Sequence, residues 1–261
     1  MNNSQRSDLH GGQSRAGRSR IAVLASGGGS NLQALIDHFA GAGAHAGEIV
    51  WVGSNRADAG ALERARSAGI TAAAVGDPSD SDALLGALDA AGADLLVLAG
   101  YLKLVPAAVV RAFHGRMLNV HPALLPAFGG AGMYGEHVHA AVVASGAAIS
   151  GVTVHFVDEE FDRGVIIAQW PVPVLPGDTG PSLAARVLRL EHRLYPLCVA
   201  GVAAGTIVLG DDGRTHGTLN VPLPPDAPEL RFALVNDPRP VAPALSDPST
   251  IAIDVARLFP R

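Results

Sequence analysis

Short, uniformly apolar runs alternate with helical periodicity through the first half of this chain. Arg20-Ile-Ala-Val-Leu-Ala25 has no polar position between its first residue and its end, the pattern of a strand buried on both faces. A glycine turn follows, then Leu32, Leu35 and Ile36 at helical spacing. Next come Glu48–Gly53 as a strand, Ala59–Ala68 as a helix, a short strand near Thr71–Val75 and a helix near Ser81–Ala91. Asp94–Ala99 and Met117–His121 read as two further strands. Strands separated by helical segments pair in parallel through right-handed crossovers. Later the rhythm changes: Ser150–Val157 and Val165–Val174 are close enough to pair as antiparallel neighbours, and Gly180–Ala203 reads as one long helix. The expected fold is α/β, an open, mostly parallel twisted sheet with flanking helices that ends in an antiparallel strand pair and a long helix. No internal repeat is evident.

The chain has 261 residues, 48% hydrophobic and 16% charged, enough apolar material for a substantial core. Its mean hydropathy of +0.27 raises the question of a membrane protein. The longest apolar candidate, Leu95–Leu102, stops at Lys103, well short of the ~18 residues a spanning helix needs. A net charge of -5 argues against a general nucleic-acid binder. The lone cysteine, Cys198, excludes an intramolecular disulfide or a cysteine metal cluster, and its apolar run Leu197-Cys198-Val199-Ala200 marks it as a buried small hydrophobe.

The ends of the chain differ from its middle. Residues 1–19 are rich in Ser, Gly, Asn and Gln with no apolar run of the kind a secretory signal requires, so a disordered tail and a cytoplasmic protein are expected. Nine of the 18 prolines fall between Pro222 and Pro260, where hydrophobic periodicity fades. This divides the chain into a catalytic unit over residues 20–210 and a Pro-rich C-terminal extension over 211–261.

Two places carry candidate chemistry. Ser26-Gly-Gly-Gly-Ser-Asn31 links the first strand to the first helix, where unpaired backbone N–H groups at the positive helix end stabilise an anion. The spacing matches neither a dinucleotide fingerprint nor a nucleoside-triphosphate loop, so a small phosphate such as a sugar monophosphate fits better. Ser30 or Asn31 could equally serve only to cap the helix. The second place is Asn119-Val120-His121. Period-two geometry sets Asn119 and His121 on one face at the carboxyl end of a strand, where ligands bind in open α/β sheets. An amide donor beside an imidazole suits a carbonyl carbon passing through a tetrahedral oxyanion. The acidic run Asp158-Glu159-Glu160-Phe161-Asp162 reads as a solvated turn, except that Asp162 sits at the lip of the apolar segment Val165-Ile166-Ile167.

In these motifs, together with Ser54-Asn-Arg-Ala-Asp58, Leu98-Ala-Gly-Tyr101, Leu118-Asn-Val-His-Pro-Ala-Leu-Leu-Pro126, Gly151–Val157, Phe161–Gly164 and Glu191–Pro196, the chain resembles the phosphoribosylglycinamide formyltransferases. The resemblance covers roughly residues 20–210 and implies a Rossmann-like formyltransferase fold. It implies formyl transfer from 10-formyltetrahydrofolate to the amine of glycinamide ribonucleotide in purine synthesis, with no metal, membrane or nucleic-acid partner, in a monomer or homodimer. The catalytic trio of that family matches Asn119, His121 and Asp162: His121 as general acid, Asn119 on the oxyanion, Asp162 orienting a water or the imidazole and raising the His121 pKa. Gly29, Ser30 and Asn31 match residues that hold the substrate phosphate, and Glu191 matches a carboxylate on the ribose. Leu102, Lys103, Leu104 and Val105 match a segment lining the pterin site, with Asn119 beside them; Asp158, Glu159, Glu160, Phe161 and Asp162 match the loop over it.

Three departures stand out. Lys103 replaces a frequent Arg and loses its fork geometry. Asp80–Asp82 is acidic where an Arg is frequent, and Phe128–Gly135 follows a longer loop variant without its usual Lys. Formyltetrahydrofolate hydrolysis, or folate or nucleotide binding without catalysis, are the alternative readings. A tRNA formyltransferase would need a basic C-terminal domain, whereas acidic residues outnumber Arg in 211–261. Glu136, His137 and His139 read as a solvated helix start rather than a metal site, and His155 as a hydrogen-bonded support.

Overall fold

The computed structural model describes residues 17–219 and 234–235. A central sheet runs β3-β2-β1-β4-β5-β6-β7, built from Thr71–Ala74, Gly47–Ser54, Ser19–Leu24, Leu95–Leu98, Met117–His121, Ile149–Phe156 and Ile166–Pro173 respectively. The two-residue β10 (Leu234–Val235) joins it antiparallel at the β7 edge. Pairing is parallel from β3 to β5, and antiparallel for β5 with β6 and β6 with β7. The expected fold class is therefore observed, with β6 antiparallel to both of its neighbours.

Alternation along β1 feeds two apolar layers. Ile21 and Val23 pack into the core that contains Leu32 and Leu35 of α1 (Ser30–Ala40), Leu62 of α2 (Gly60–Ser67), Val142 of α5 (Glu136–Ala144) and Leu183, Val187 and Leu194 of α6 (Gly180–Ala203). Ala22 and Leu24 face the opposite layer, with Leu84 and Leu88 of α3 (Ser81–Ala90) and Val109 and Val110 of α4 (Ala107–Ala112). A strand sandwiched in this way has no solvent face, which is why its sequence lacks polar positions. The α4 helix was not legible beforehand: six residues starting after Pro106 are too few to show a period. The hairpin β8 (Ile207–Leu209) and β9 (Thr215–Gly217) was also unforeseen; Thr215 Oγ1 donates to the Ile166 carbonyl at 2.8 Å and ties it to β7.

Strand order reverses between β1 and β4, so the turns leaving their carboxyl ends diverge and open a crevice. A buried network shapes its far wall. Thr153 Oγ1 on β6 donates to the Ala123 carbonyl (2.6 Å) and accepts from Leu125 N–H (3.0 Å) and Gln169 Nε2 (3.0 Å). It pins the chain just after His121. Among the described residues no helix is long and apolar enough to cross a membrane. The expected tail, up to residue 16, and the Pro-rich stretch from Pro222 on, apart from β10, lie outside the described residues.

Candidate active site

Gly29 heads α1 in the left-handed region, at φ 76, and no side chain caps the helix. The capping alternative for Ser30 and Asn31 is thereby removed. Asn31 instead reaches across to α6, where its Nδ2 donates to Glu191 Oε2 at 2.6 Å. Glu191 is 7% exposed, and burial pushes its carboxyl above the ordinary range against the opposing bond from Asn31. The Oδ1 of Asn31 is buried without a partner in the described chain, an acceptor left facing the crevice that Asn31 and Glu191 both line. Glycine is required at position 29 twice over, since a Cβ there would also stand 2.8 Å from Ala61 Cα.

At the end of β5 the side chains of Asn119 and His121 meet the loop bearing Asp162. His121 is 3% exposed; its Nε2 lies 2.8 Å from the Phe128 carbonyl and its Nδ1 3.4 Å from Asp162 Oδ2. Both ring nitrogens thus face acceptors. A neutral imidazole can satisfy only one of them, whereas imidazolium satisfies both. Asn119 Nδ2 stands 3.2 Å from His155 Nε2 and 3.5 Å from Asp162 Oδ1. His155 Nδ1 faces its neighbouring Phe156 carbonyl at 2.7 Å, and its Nε2 lies between Asn119 Nδ2 and Asp162 Oδ1, 3.7 Å from the latter. The 3.5 Å contact is at the weak limit, so that N–H of Asn119 is the one free to turn to a ligand. Asp162 itself adopts φ 57, which Asp tolerates better than most residues, and accepts Gly130 N–H at 2.9 Å.

The electrostatics of the site set burial against charge. Burial lowers the His121 pKa more than Asp162 and the Phe128 carbonyl raise it, and His155 lowers it further, so the net shift is downward. Asp162 does push in the expected direction, but it does not win. For Asp162, burial acts upward, yet the His155 contact, His121 and Gly130 N–H together hold the carboxyl below its usual value. Replacing Asp162 by Asn removes the main influence favouring imidazolium. The His121 midpoint, read by NMR titration of the histidine ring, is expected to lie below 6.5 in the parent and to fall further in Asp162→Asn. A midpoint that rises in the variant would refute this account of the site's field.

A cleft of about 440 Å³ gathers most of the expected residues. Leu102–Val105, Asn119, His121, Asp158, Glu160–Asp162, Asn31 and Glu191 all line it. Glu159 does not join them; its carboxylate turns away to Arg111, 2.8 Å distant. Gly29 and Ser30 adjoin Asn31 without lining the cleft. His139, expected to be solvated, is 5% exposed and faces the cleft from α5, because it follows Val138 and precedes Val142 on the helix side that packs inward. Asp80 caps α3 by accepting from Asp82 and Ala83 N–H, which gives that acidic stretch a local structural use. Among the described residues no group of three or more potential ligands could hold a metal ion. Backbone partners such as the Phe128 carbonyl and Gly130 N–H were invisible beforehand, since neither depends on residue type.

The sequence matches the formyl transferase family over residues 19–199. It is 44% identical over 213 residues to the chloroplastic phosphoribosylglycinamide formyltransferase of Arabidopsis thaliana, covering 79% of this chain and 73% of that protein. To the phosphoribosylglycinamide formyltransferase of Escherichia coli it is 39% identical over 198 residues, covering 74% of this chain and 91% of the relative. The fold superposes on the crystal structure of glycinamide ribonucleotide transformylase 1 from Symbiobacterium toebii with a TM-score of 0.71 at 42% identity, covering 79% of this chain and 96% of that one.

Proposed function

Because the chain belongs to the formyl transferase family, among its phosphoribosylglycinamide formyltransferases, we propose that its cleft passes the formyl group of 10-formyltetrahydrofolate to the amine of N1-(5-phospho-D-ribosyl)glycinamide, a step of purine biosynthesis. The observation that carries this reading is the convergence of Asn119, His121 and Asp162 at one end of β5, within a cleft that also reaches the Asn31–Glu191 pair. A folate fits the remaining wall: Leu102 and Leu104, 47% and 49% exposed, and Phe161, 39% exposed, present apolar surface at the mouth. Bound there, it supplies the formyl group and the nitrogen from which that group departs.

The chain's own residues then divide the work. Asn119 turns its weakly held N–H toward the oxygen of the formyl group and stabilises the negative charge that develops there. The amine attacks the formyl carbon as its bond to the folate nitrogen breaks; His121 delivers a proton to that departing nitrogen and is recharged by the proton the amine loses on becoming an amide. Asp162 holds the imidazole from its Nδ1 side and offsets part of the burial that opposes the charged ring. Asn31 and Glu191 receive the ribose hydroxyls, and the glycine turn with Ser30 receives the phosphate. Lys103 keeps a positive charge beside the folate without the fork of an arginine. The unit that carries these groups is residues 20–210, preceded by 1–19 and followed by the Pro-rich extension 211–261, from which β9 and β10 join the fold, in a protein of the cytoplasm, monomeric or dimeric.

The test is consumption of 10-formyltetrahydrofolate followed by absorbance, with and without the ribonucleotide. Consumption that depends on the ribonucleotide is expected. Equal consumption in its absence would make the protein a hydrolase, and none under either condition a binding protein.

A further inference from the structure

The turn that starts α1 is held from outside by α2. Ala61 N–H donates to the Gly27 carbonyl at 3.1 Å, and Arg64 Nε donates to the Gly28 carbonyl at 2.7 Å. The same guanidinium donates from its NH1 nitrogen to Gln33 Oε1 on α1, at 3.2 Å. Contact is close along this seam: a Cβ on Gly60 would stand 3.3 Å from Gly28 Cα. A trans peptide is planar, so the carbonyl of one residue and the N–H of the next point in opposite directions. Anchoring the Gly27 and Gly28 carbonyls on α2 therefore turns the N–H groups of Gly28 and Gly29 away from α2. They add to the N–H groups of the first turn of α1, which have no carbonyl partner within the helix.

We propose that Arg64 is a positioning residue for recognition of the substrate phosphate. Its bond to the Gly28 carbonyl holds the Gly28–Gly29 peptide with its N–H toward the anion, and its second bond, to Gln33, fixes that peptide relative to α1. The role demands a rigid fork with two donors, which a lysine ammonium on a flexible stem does not supply. Arg64 is exposed, so its replacement is expected to leave the buried core in place. The inference rests on the glycine turn being the phosphate site.

Steady-state kinetics on the full chain separate the two claims. The parent is compared first on the glycinamide ribonucleotide and on the corresponding riboside, which lacks the phosphate. A parent that does not prefer the ribonucleotide would remove the phosphate site itself. Given that preference, Arg64→Ala is expected to raise the KM for the ribonucleotide about tenfold, the scale of one lost hydrogen bond. The kcat, the KM for the formyl donor and the kcat/KM for the riboside are expected to stay within about twofold, since none involves the anion. Arg64→Lys is expected to retain most of the defect. An unchanged ribonucleotide KM in Arg64→Ala, an equal loss with the riboside, or full recovery by Arg64→Lys would each overturn the proposal, the last by assigning the effect to charge alone.

Discussion

His121→Ala is expected to lower turnover by about a hundredfold or more, the scale on which a positioned general acid contributes. The expectation follows from how completely the ring is surrounded. The ring is 3% exposed, has an acceptor at each nitrogen and lies beside Asn119 on the same strand, so it is held in one orientation. His139 also faces the cleft, but from α5 and without the Asp162 contact that orients the His121 ring. Binding is expected to change little, because the ribose and phosphate contacts proposed above fall on Asn31, Glu191 and the glycine turn rather than on His121. Loss of a buried ring also leaves Asp162 less well paired, so His121→Gln, which keeps bulk and a donor without the titrating group, is the companion variant. Both are expected to retain a cooperative thermal transition and near-normal KM values. Turnover within tenfold of the parent in a folded variant would assign the proton transfer elsewhere.

Gly29→Val is expected to damage the fold as well as the site. A β-branched residue at φ 76 incurs a left-handed penalty of roughly 1–2 kcal/mol. The new Cβ also meets Ala61 Cα at 2.8 Å and Ala61 Cβ at 2.9 Å, and since the first of these is backbone, α2 has to move. Overpacking of that kind costs about another 1–3 kcal/mol. The combined loss, about 3 kcal/mol, corresponds to a fall in melting temperature of roughly 10 °C for a protein of this size. The neighbouring Gly28 is the control: a Cβ there meets nothing within 4 Å, so Gly28→Ala is expected to stay within about 1 kcal/mol of the parent. Chemical unfolding of the two variants checks both. Equal stabilities would show that α2 yields where the contacts say it cannot. A raised KM in Gly29→Val therefore would not isolate phosphate binding, whereas Arg64→Ala disturbs the same turn from an exposed position.

The parts of the fold legible in the sequence are those whose environment dictates residue type over several positions. Buried parallel strands such as Ser19–Leu24 tolerate no polar interior residue, and Gly180–Ala203 is long enough to display many turns of one period. Met117–His121 appears with its observed bounds because two polar side chains interrupt an otherwise apolar strand. By contrast α4 and the β8–β9 hairpin are too short to show a pattern, and their conformation is set by what they pack against. The chemistry divides along the same line. Asn119, His121 and Asp162 are visible as residue types, but the net lowering of the His121 pKa depends on burial and on His155 from another strand, which no local spacing encodes. The inward turn of His139 likewise depends on which face of α5 meets α6.

The long helix α6 is fastened at two points one turn apart. Tyr195, fully buried, places its hydroxyl 2.9 Å from the Leu98 carbonyl, at the end of β4, and 3.0 Å from the Leu118 carbonyl, next to Asn119 in β5. Glu191 reaches Asn31 on α1. The helix that carries Glu191 is thereby bolted to the strand that carries Asn119 and His121, and neither can slide without breaking bonds in a dry interior. The distance between nucleoside recognition and the reacting carbon is then a fixed gauge. A substrate whose amine sits one bond nearer to or farther from its ribose would be docked correctly and still miss the formyl group, so the enzyme measures length where its contacts recognise only groups.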